Sequence, residues 1–262
     1  MGFYLFNTFI PYYGFCILVG IGCASCTGVF LCKYLKLNEN DFIIICAYLI
    51  AFGFFGAKLL YILVSIKIID FKSVFSSIHS FNNFISSGFV FYGGLLGGMA
   101  VFPFVKKVHK IDSSDYLKCI TPSLGIAHAF GRIGCSLAGC CYGIETKSHF
   151  YFLYHESIIA PNNIKLIPVQ GIESFFLFIL SFICFFLVIK KTKIVVHYLY
   201  LFVYSILRFV LEFFRGDSAR GIFVFFSTSQ IISLLIILGV VFFIICNHHR
   251  NTRFLKKREP CS

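Results

Sequence analysis

Gly171-Ile-Glu-Ser-Phe-Phe-Leu-Phe-Ile-Leu-Ser-Phe-Ile-Cys-Phe-Phe-Leu-Val-Ile189 decides the class of fold. Its one charged side chain is Glu173, and its remaining polar side chains are Ser174 and Ser181. A helix crosses the hydrocarbon core of a bilayer with about 20 mostly apolar residues, and this run has that length and composition. Working outward, six further runs read the same way, at about 13–32, 42–66, 88–105, 118–138, 195–214 and 227–246. The expected fold is therefore all-α, a polytopic bundle of about seven transmembrane helices forming one domain over residues 1–262. Composition agrees: 58% of the chain is hydrophobic and 13% charged, where soluble domains carry about 25% charged residues.

The net charge of +12 raises the question of nucleic acid, but the charges follow topology instead. Lys33 and Lys36, Lys106 to Lys118, Lys190 to Lys193 and the tail from Arg250 place 14 basic residues in alternate loops. The intervening segments hold 6, namely Lys67, Lys72, Lys147, Lys165, Arg215 and Arg220. Cytoplasmic loops carry the Lys/Arg excess, so the N-terminus is expected outside and the tail, about 247–262, in the cytoplasm. The partner implied is membrane lipid, not nucleic acid. Residues 1–11 lack Lys and Arg, so no basic start of a signal peptide is read there. The long fourth loop, about 142–170, contains the turn signal Pro161-Asn162-Asn163 and is expected to form a small extracytoplasmic subdomain. The Ser- and Asn-rich stretch Ser76–Ser87 is expected to be irregular.

Ionisable side chains within a membrane are costly and mark sites. Here they are Lys58, His128, Arg132, Glu173, Arg208 and Glu212, with Arg215 at a span end. Arg208 and Glu212 are four apart and share a helix face, which suits a structural ion pair. Arg132 has no obvious carboxylate. Two converging guanidinium groups would instead bind an anion such as a phospholipid phosphate, matching it with a planar pair of hydrogen bonds. Two glycine-rich stretches stand beside these charges. Gly88 to Gly98 holds five glycines, and Gly131 to Gly143 surrounds Arg132. Close helix packing explains such density; a broken helix end with free N–H groups is the alternative.

Of the twelve cysteines, most lie in apolar runs and act there as small hydrophobes. Cys135, Cys140 and Cys141 sit in the polar glycine-rich stretch. Their spacing is not a usual zinc arrangement, so small packing residues are expected and no metal, with a redox pair or a soft metal as alternatives.

Gly131-Arg132-Ile133-Gly134, continuing to Gly139 and Gly143, resembles the signature segment of the prolipoprotein diacylglyceryl transferases. Other stretches agree in order: Tyr13-Gly14, Gly56-Ala-Lys-Leu-Leu-Tyr61, Tyr92-Gly-Gly-Leu-Leu-Gly97, Pro168-Val-Gln170 with Glu173, and Arg208-Phe-Val-Leu-Glu-Phe-Phe-Arg215 with Ser229-Gln230. The resemblance implies an inner-membrane enzyme, without cofactor, that moves diacylglycerol from phosphatidylglycerol to the lipobox cysteine of a prolipoprotein signal peptide. It implies that Arg132 and Arg208 hold the departing phosphate and that Glu212 orients Arg208. Tyr13, Gly134 and Gly143 match lipid-pocket and signature positions. The chain departs from the family pattern at three places, with Tyr92 for the usual histidine, Cys135 for asparagine and Cys140 for an acidic residue. A neutral Tyr92 suits a hydrogen bond to the headgroup, and Gly93 and Gly94 would let that headgroup approach the backbone. His128, one turn before Arg132, is an alternative base. A diverged member with another lipid or acceptor, an anion transporter and a thiol-redox membrane protein are the competing readings.

Overall fold

The computed structural model describes residues 2–6, 8–66, 69–86, 90–217, 222–223 and 226–256. Gly88, Lys67, Arg220 and the end of the tail from Lys257 lie outside them, as does the side chain of Tyr92. Among the described residues the chain runs β1 (Gly2–Leu5), β2 (Thr8–Pro11), α1 (Tyr12–Leu35), α2 (Glu39–Ser65), α3 (Phe71–Val74), α4 (Ile78–Ser86), α5 (Phe91–Val108) and α6 (Leu117–Ala138). It continues with β3 (Phe152–Leu153), β4 (Lys165–Leu166), α7 (Val169–Ile189), α8 (Val196–Leu211), a 3₁₀ turn (Glu212–Phe214), β5 (Ile222–Phe223), β6 (Phe226–Ser227) and α9 (Thr228–Lys256). Each β element belongs to a two-stranded antiparallel pair.

Among the described residues, five helical segments are long and apolar enough to cross a membrane: Tyr12–Leu35, Glu39–Ser65, Val169–Ile189, Val196–Phe214 and Thr228–Cys246. The expected third and fourth spans are helices too, but their composition falls short. In α5, glycines, Pro103, Lys106 and Lys107 dilute the apolar residues; in α6, Thr121, Pro122, Ser123, His128 and Arg132 do so. The seven-span expectation is thus met by five segments on length and composition. Ser76–Ser87 is corrected outright, because most of it is α4. Ser77 Oγ accepts from the Ser80 backbone at 3.1 Å, so a residue read as loop-forming caps a helix.

The chain divides into two compact units, Met1–Leu31 with Lys118–Ser262, and Cys32–Leu117. In the smaller unit α2 lies along α5 through glycine. A side chain at Gly93 would collide with the Gly56 carbonyl, and one at Gly97 with the Phe52 carbonyl. Lys58 is accounted for in the same unit: its ammonium donates to the Phe84 carbonyl and lies over the Phe84 ring, 3.9 Å from its centroid.

In the larger unit α6 touches α1, α7 and α8 at specific points. Gly20 of α1 lies against Phe130, and Gly125 lies against Ser181 of α7 and Tyr200 of α8. Ser174 of α7 donates to the Ala129 carbonyl at 2.8 Å. The segment after α6 has its own small core of Tyr154, Ala160 and Leu166, with Tyr142 and Phe152 against it. The Tyr154 hydroxyl donates to the Ser136 carbonyl at 2.8 Å, which ties this core to the end of α6.

Candidate functional site

Three helices of the larger unit bring their charged residues together. Arg132 comes from α6, Glu173 from the N-terminal part of α7, just past its first turn, and Arg208 from the last turn of α8. Glu173 is only 1% exposed. One of its oxygens lies 3.0 Å from Arg132 Nε and 3.7 Å from Arg208 Nη1. The sequence left Arg132 without a carboxylate; the fold supplies one, shared with the second arginine. Sequence spacing could not show this, since the three residues are separated by tens of positions. The available signal was that Glu173 is the one acidic residue in its span.

Further contacts fix the pair. The Tyr204 hydroxyl, one turn before Arg208, donates to Glu173 at 3.1 Å. Arg208 Nη2 meets Glu212 Oε2 at 2.7 Å, the i,i+4 pair expected from the sequence, and donates to Ser229 Oγ at 3.2 Å. Arg215 lies 3.6 Å from the same Glu212 oxygen and donates to Asp217 through Nε at 2.9 Å and Nη2 at 2.5 Å. Burial opposes the charge on Arg215, but the hydrogen bond to Asp217 together with the negative charges of Asp217 and Glu212 outweighs it and holds its pKa above the ordinary value. Three guanidinium groups therefore stand beside three carboxylates. The arrangement is charge-balanced, which is what burial demands. A guanidinium has five donors in one plane, so a carboxylate at one edge orients it more than it saturates it. His128 packs edge-on against Tyr204, their centroids 5.0 Å apart.

The cysteines follow from how α6 ends. Gly139, at φ 73°, is left-handed, and its N–H donates to Ser136 while Cys140 N–H donates to the Cys135 carbonyl at 3.1 Å. This is the double bond of a glycine-terminated helix, and it folds Cys140 back over Cys135. Cys141 is itself left-handed, at φ 58°. The sulfurs of Cys135, Cys140 and Cys141 all lie within 4.8 Å of one another. Spacing alone suggested packing residues; the turn makes them a cluster. Gln170 Nε2 donates to the Cys140 carbonyl at 2.7 Å. Beyond them, Ile144 N–H donates to Phe214 and Gly216 N–H to Tyr142, both at 2.9 Å, joining the chain after the cysteines to the chain around Arg215.

The remaining sequence-derived residues divide between the units. Tyr13, in the first turn of α1, has its ring against Gly134 and is close enough to Arg132 and the three cysteines to interact electrostatically. Gly134 admits α1 beside α6. Gly143 has no room for a side chain, which would strike the Ile167 carbonyl. Tyr92, Gly93 and Gly94 open α5 in the smaller unit. Gly93 meets the Gly56 backbone, and Gly94 the Gly53 carbonyl, the close helix packing that glycine density suggests. The stretch is continuous helix from Phe91 on.

Arg132 and Arg208, each steered by a carboxylate and flanked by apolar helices, form an arrangement that can receive an anionic group. The chain belongs to the prolipoprotein diacylglyceryl transferase family, whose sequence profile matches residues 2–246. A phosphatidylglycerol–prolipoprotein diacylglyceryl transferase of Clostridium tetani is 39% identical over 245 residues, covering 92% of this chain and 95% of the relative. A second, from Clostridium perfringens, is 34% identical over 236 residues and covers 90% of each. One from Clostridium botulinum (strain Langeland) is 26% identical over 250 residues, 92% of each. The chain is thus a diacylglyceryl transferase of the membrane.

Proposed function

We propose that this chain transfers the diacylglyceryl group of phosphatidylglycerol to the lipobox cysteine of prolipoproteins, forming a thioether and releasing glycerol phosphate. The observation that carries the residue assignment is Glu173 between Arg132 and Arg208. The leaving group is a phosphate, and charge developing on its oxygens is stabilised by donors already held in place. Arg132 and Arg208 supply those donors; Glu173 and Glu212 hold the guanidinium planes. Tyr13 borders the lipid. Gly134 and Gly143 keep the backbone close around the arginines. Tyr92 hydrogen-bonds the headgroup, and Gly93 and Gly94 support it by seating the start of α5 on α2.

The whole chain works as one transferase domain, crossing the inner membrane with about seven helices. Its N-terminus is outside and its tail in the cytoplasm, in accord with the Lys/Arg asymmetry. In that topology the end of α6, the start of α7 and the end of α8 share the outer side with the 142–170 segment. A topology reporter fused after Ser262 gives a cytoplasmic signal; an external signal overturns the span count.

The direct test is purified protein with phosphatidylglycerol vesicles and a lipobox peptide. The expected product is the peptide carrying a diacylglyceryl thioether, with glycerol phosphate released in equal amount. A peptide with Ser for the lipobox Cys accepts nothing. No thioether from a folded, membrane-inserted protein overturns the assignment.

A further inference from the structure

We propose that Cys135, Cys140 and Cys141 bind a zinc ion through their thiolates, leaving a fourth position for the acceptor thiol. The second half rests on the transfer reading; the site itself does not.

Zinc takes thiolates at about 2.3 Å in tetrahedral geometry, which needs sulfurs about 3.8 Å apart. The three sulfurs already stand within 4.8 Å of one another, so a shift of about 1 Å completes the site. The backbone that gathers them is fixed from outside. The glycine turn bonds Cys140 to Cys135, and Gln170 and Tyr154 hold the Cys140 and Ser136 carbonyls. Such outer hydrogen bonds orient metal ligands. Three thiolates with a divalent ion carry one net negative charge. None of the three thiols is fully buried, so a fourth ligand has an approach. Three protein ligands with an open position is the arrangement of a reactive zinc site. Packing alone gives no reason for a left-handed, non-glycine Cys141 to turn its sulfur toward two others.

Such an ion suits the chemistry. A free thiol has a pKa near 8.5 and is mostly protonated at neutral pH, whereas a thiol on zinc is deprotonated outright. The acceptor thiol releases its proton to water as it binds. Its sulfur lone pair then forms the C–S bond to the glyceryl carbon. The C–O bond to phosphate breaks, and its electron pair leaves on glycerol phosphate beside Arg132. The zinc does not change oxidation state.

The test uses the full chain in detergent, kept reduced and titrated with Zn²⁺ and separately with Co²⁺, whose thiolate charge-transfer absorption reports sulfur ligation. One ion per chain is expected, with that absorption present. Cys135→Ser, Cys140→Ser and Cys141→Ser each weaken affinity by more than about tenfold, and the triple Ser variant binds no stoichiometric ion. Thermal melting and elution profile report folding; if the triple variant does not fold, the single Cys140→Ser decides. A lipobox peptide shifts the cobalt spectrum and its Cys→Ser version does not. Failure of the reduced, folded chain to bind either ion, or equal binding by the Cys140→Ser variant, overturns the site. An unchanged spectrum with peptide thiol overturns the fourth-ligand role. Transfer without zinc binding discards the metal and keeps the enzyme; zinc binding without transfer does the reverse.

Discussion

The helix pair α2–α5 and the helix trio α6–α7–α8 solve the same problem by opposite means. Both must hold helices together where apolar side chains gain little by leaving lipid for protein. The α2–α5 pair removes side chains at its closest approach, so that Gly56 and Gly93, and Gly97 and the Phe52 carbonyl, meet backbone to backbone. The trio instead spends the interface on ions, with Glu173 shared by Arg132 and Arg208. Small-residue packing is chemically inert, whereas paired buried charge keeps donors ready for an incoming anion. A glycine seam marks where helices touch backbone to backbone, and the ion cluster marks where buried charges are paired.

The largest effect expected is at the centre of the trio. Glu173→Gln leaves two buried guanidinium groups without their common carboxylate and should cost about 3–5 kcal/mol of stability, read as a lower melting temperature in detergent with transfer lost. A variant that melts with the parent would break the view that ion pairing holds the trio. Next, Arg132→Lys or Arg208→Lys keeps the charge but loses the planar fork. Each should lower the transfer rate by about 2–3 kcal/mol, roughly 30- to 150-fold; near-normal rates would remove the phosphate clamp. On the other side of the comparison, Gly93→Val places a branched side chain against the Gly56 carbonyl. Overpacking of this kind costs about 1–3 kcal/mol. It should appear as lost stability, with the product ratio and lipid preference of the surviving protein unchanged. The smallest effect sharpens the boundary. Tyr92→Phe removes one hydroxyl from the seam's own helix and should slow transfer by about 1–2 kcal/mol, roughly 5- to 30-fold, while Tyr92→His is tolerated. A rate equal to the parent across pH 6 to 9 would make that helix purely structural.

What the sequence disclosed follows the range of the forces involved. Apolar runs such as 171–189 show their helices directly, because length and composition are local. Arg208 and Glu212 were legible as a pair, since i,i+4 spacing fixes their neighbourhood. Arg132 and Glu173 were each legible as buried ions but not as partners, because tertiary packing of α6 on α7 joins them. The clustering of the three cysteines was hidden for a related reason. The x4 spacing describes a continuous helix or a loop, and Gly139 creates neither but a reversal that stacks Cys140 on Cys135. In α4, composition spoke of loop where Ser77 capped a helix. The shortfall of α5 and α6 as spans reflects glycine and polar residues that helices sheltered by protein can carry.

The backbone pairing of Tyr142–Ile144 with Phe214–Gly216 has a meaning for how this sequence can drift. The hydrogen bonds of that clasp run from main chain to main chain. Most of the side chains along it are free to be exchanged over generations without loosening the hold on the cysteine turn or on Arg215. Gly143 and Gly216 are not, since a Cβ on Gly143 would strike the Ile167 carbonyl and one on Gly216 the Gly143 main chain. Random mutagenesis with selection for function should therefore recover many residues at 144 and 214, and glycine alone at 143 and 216.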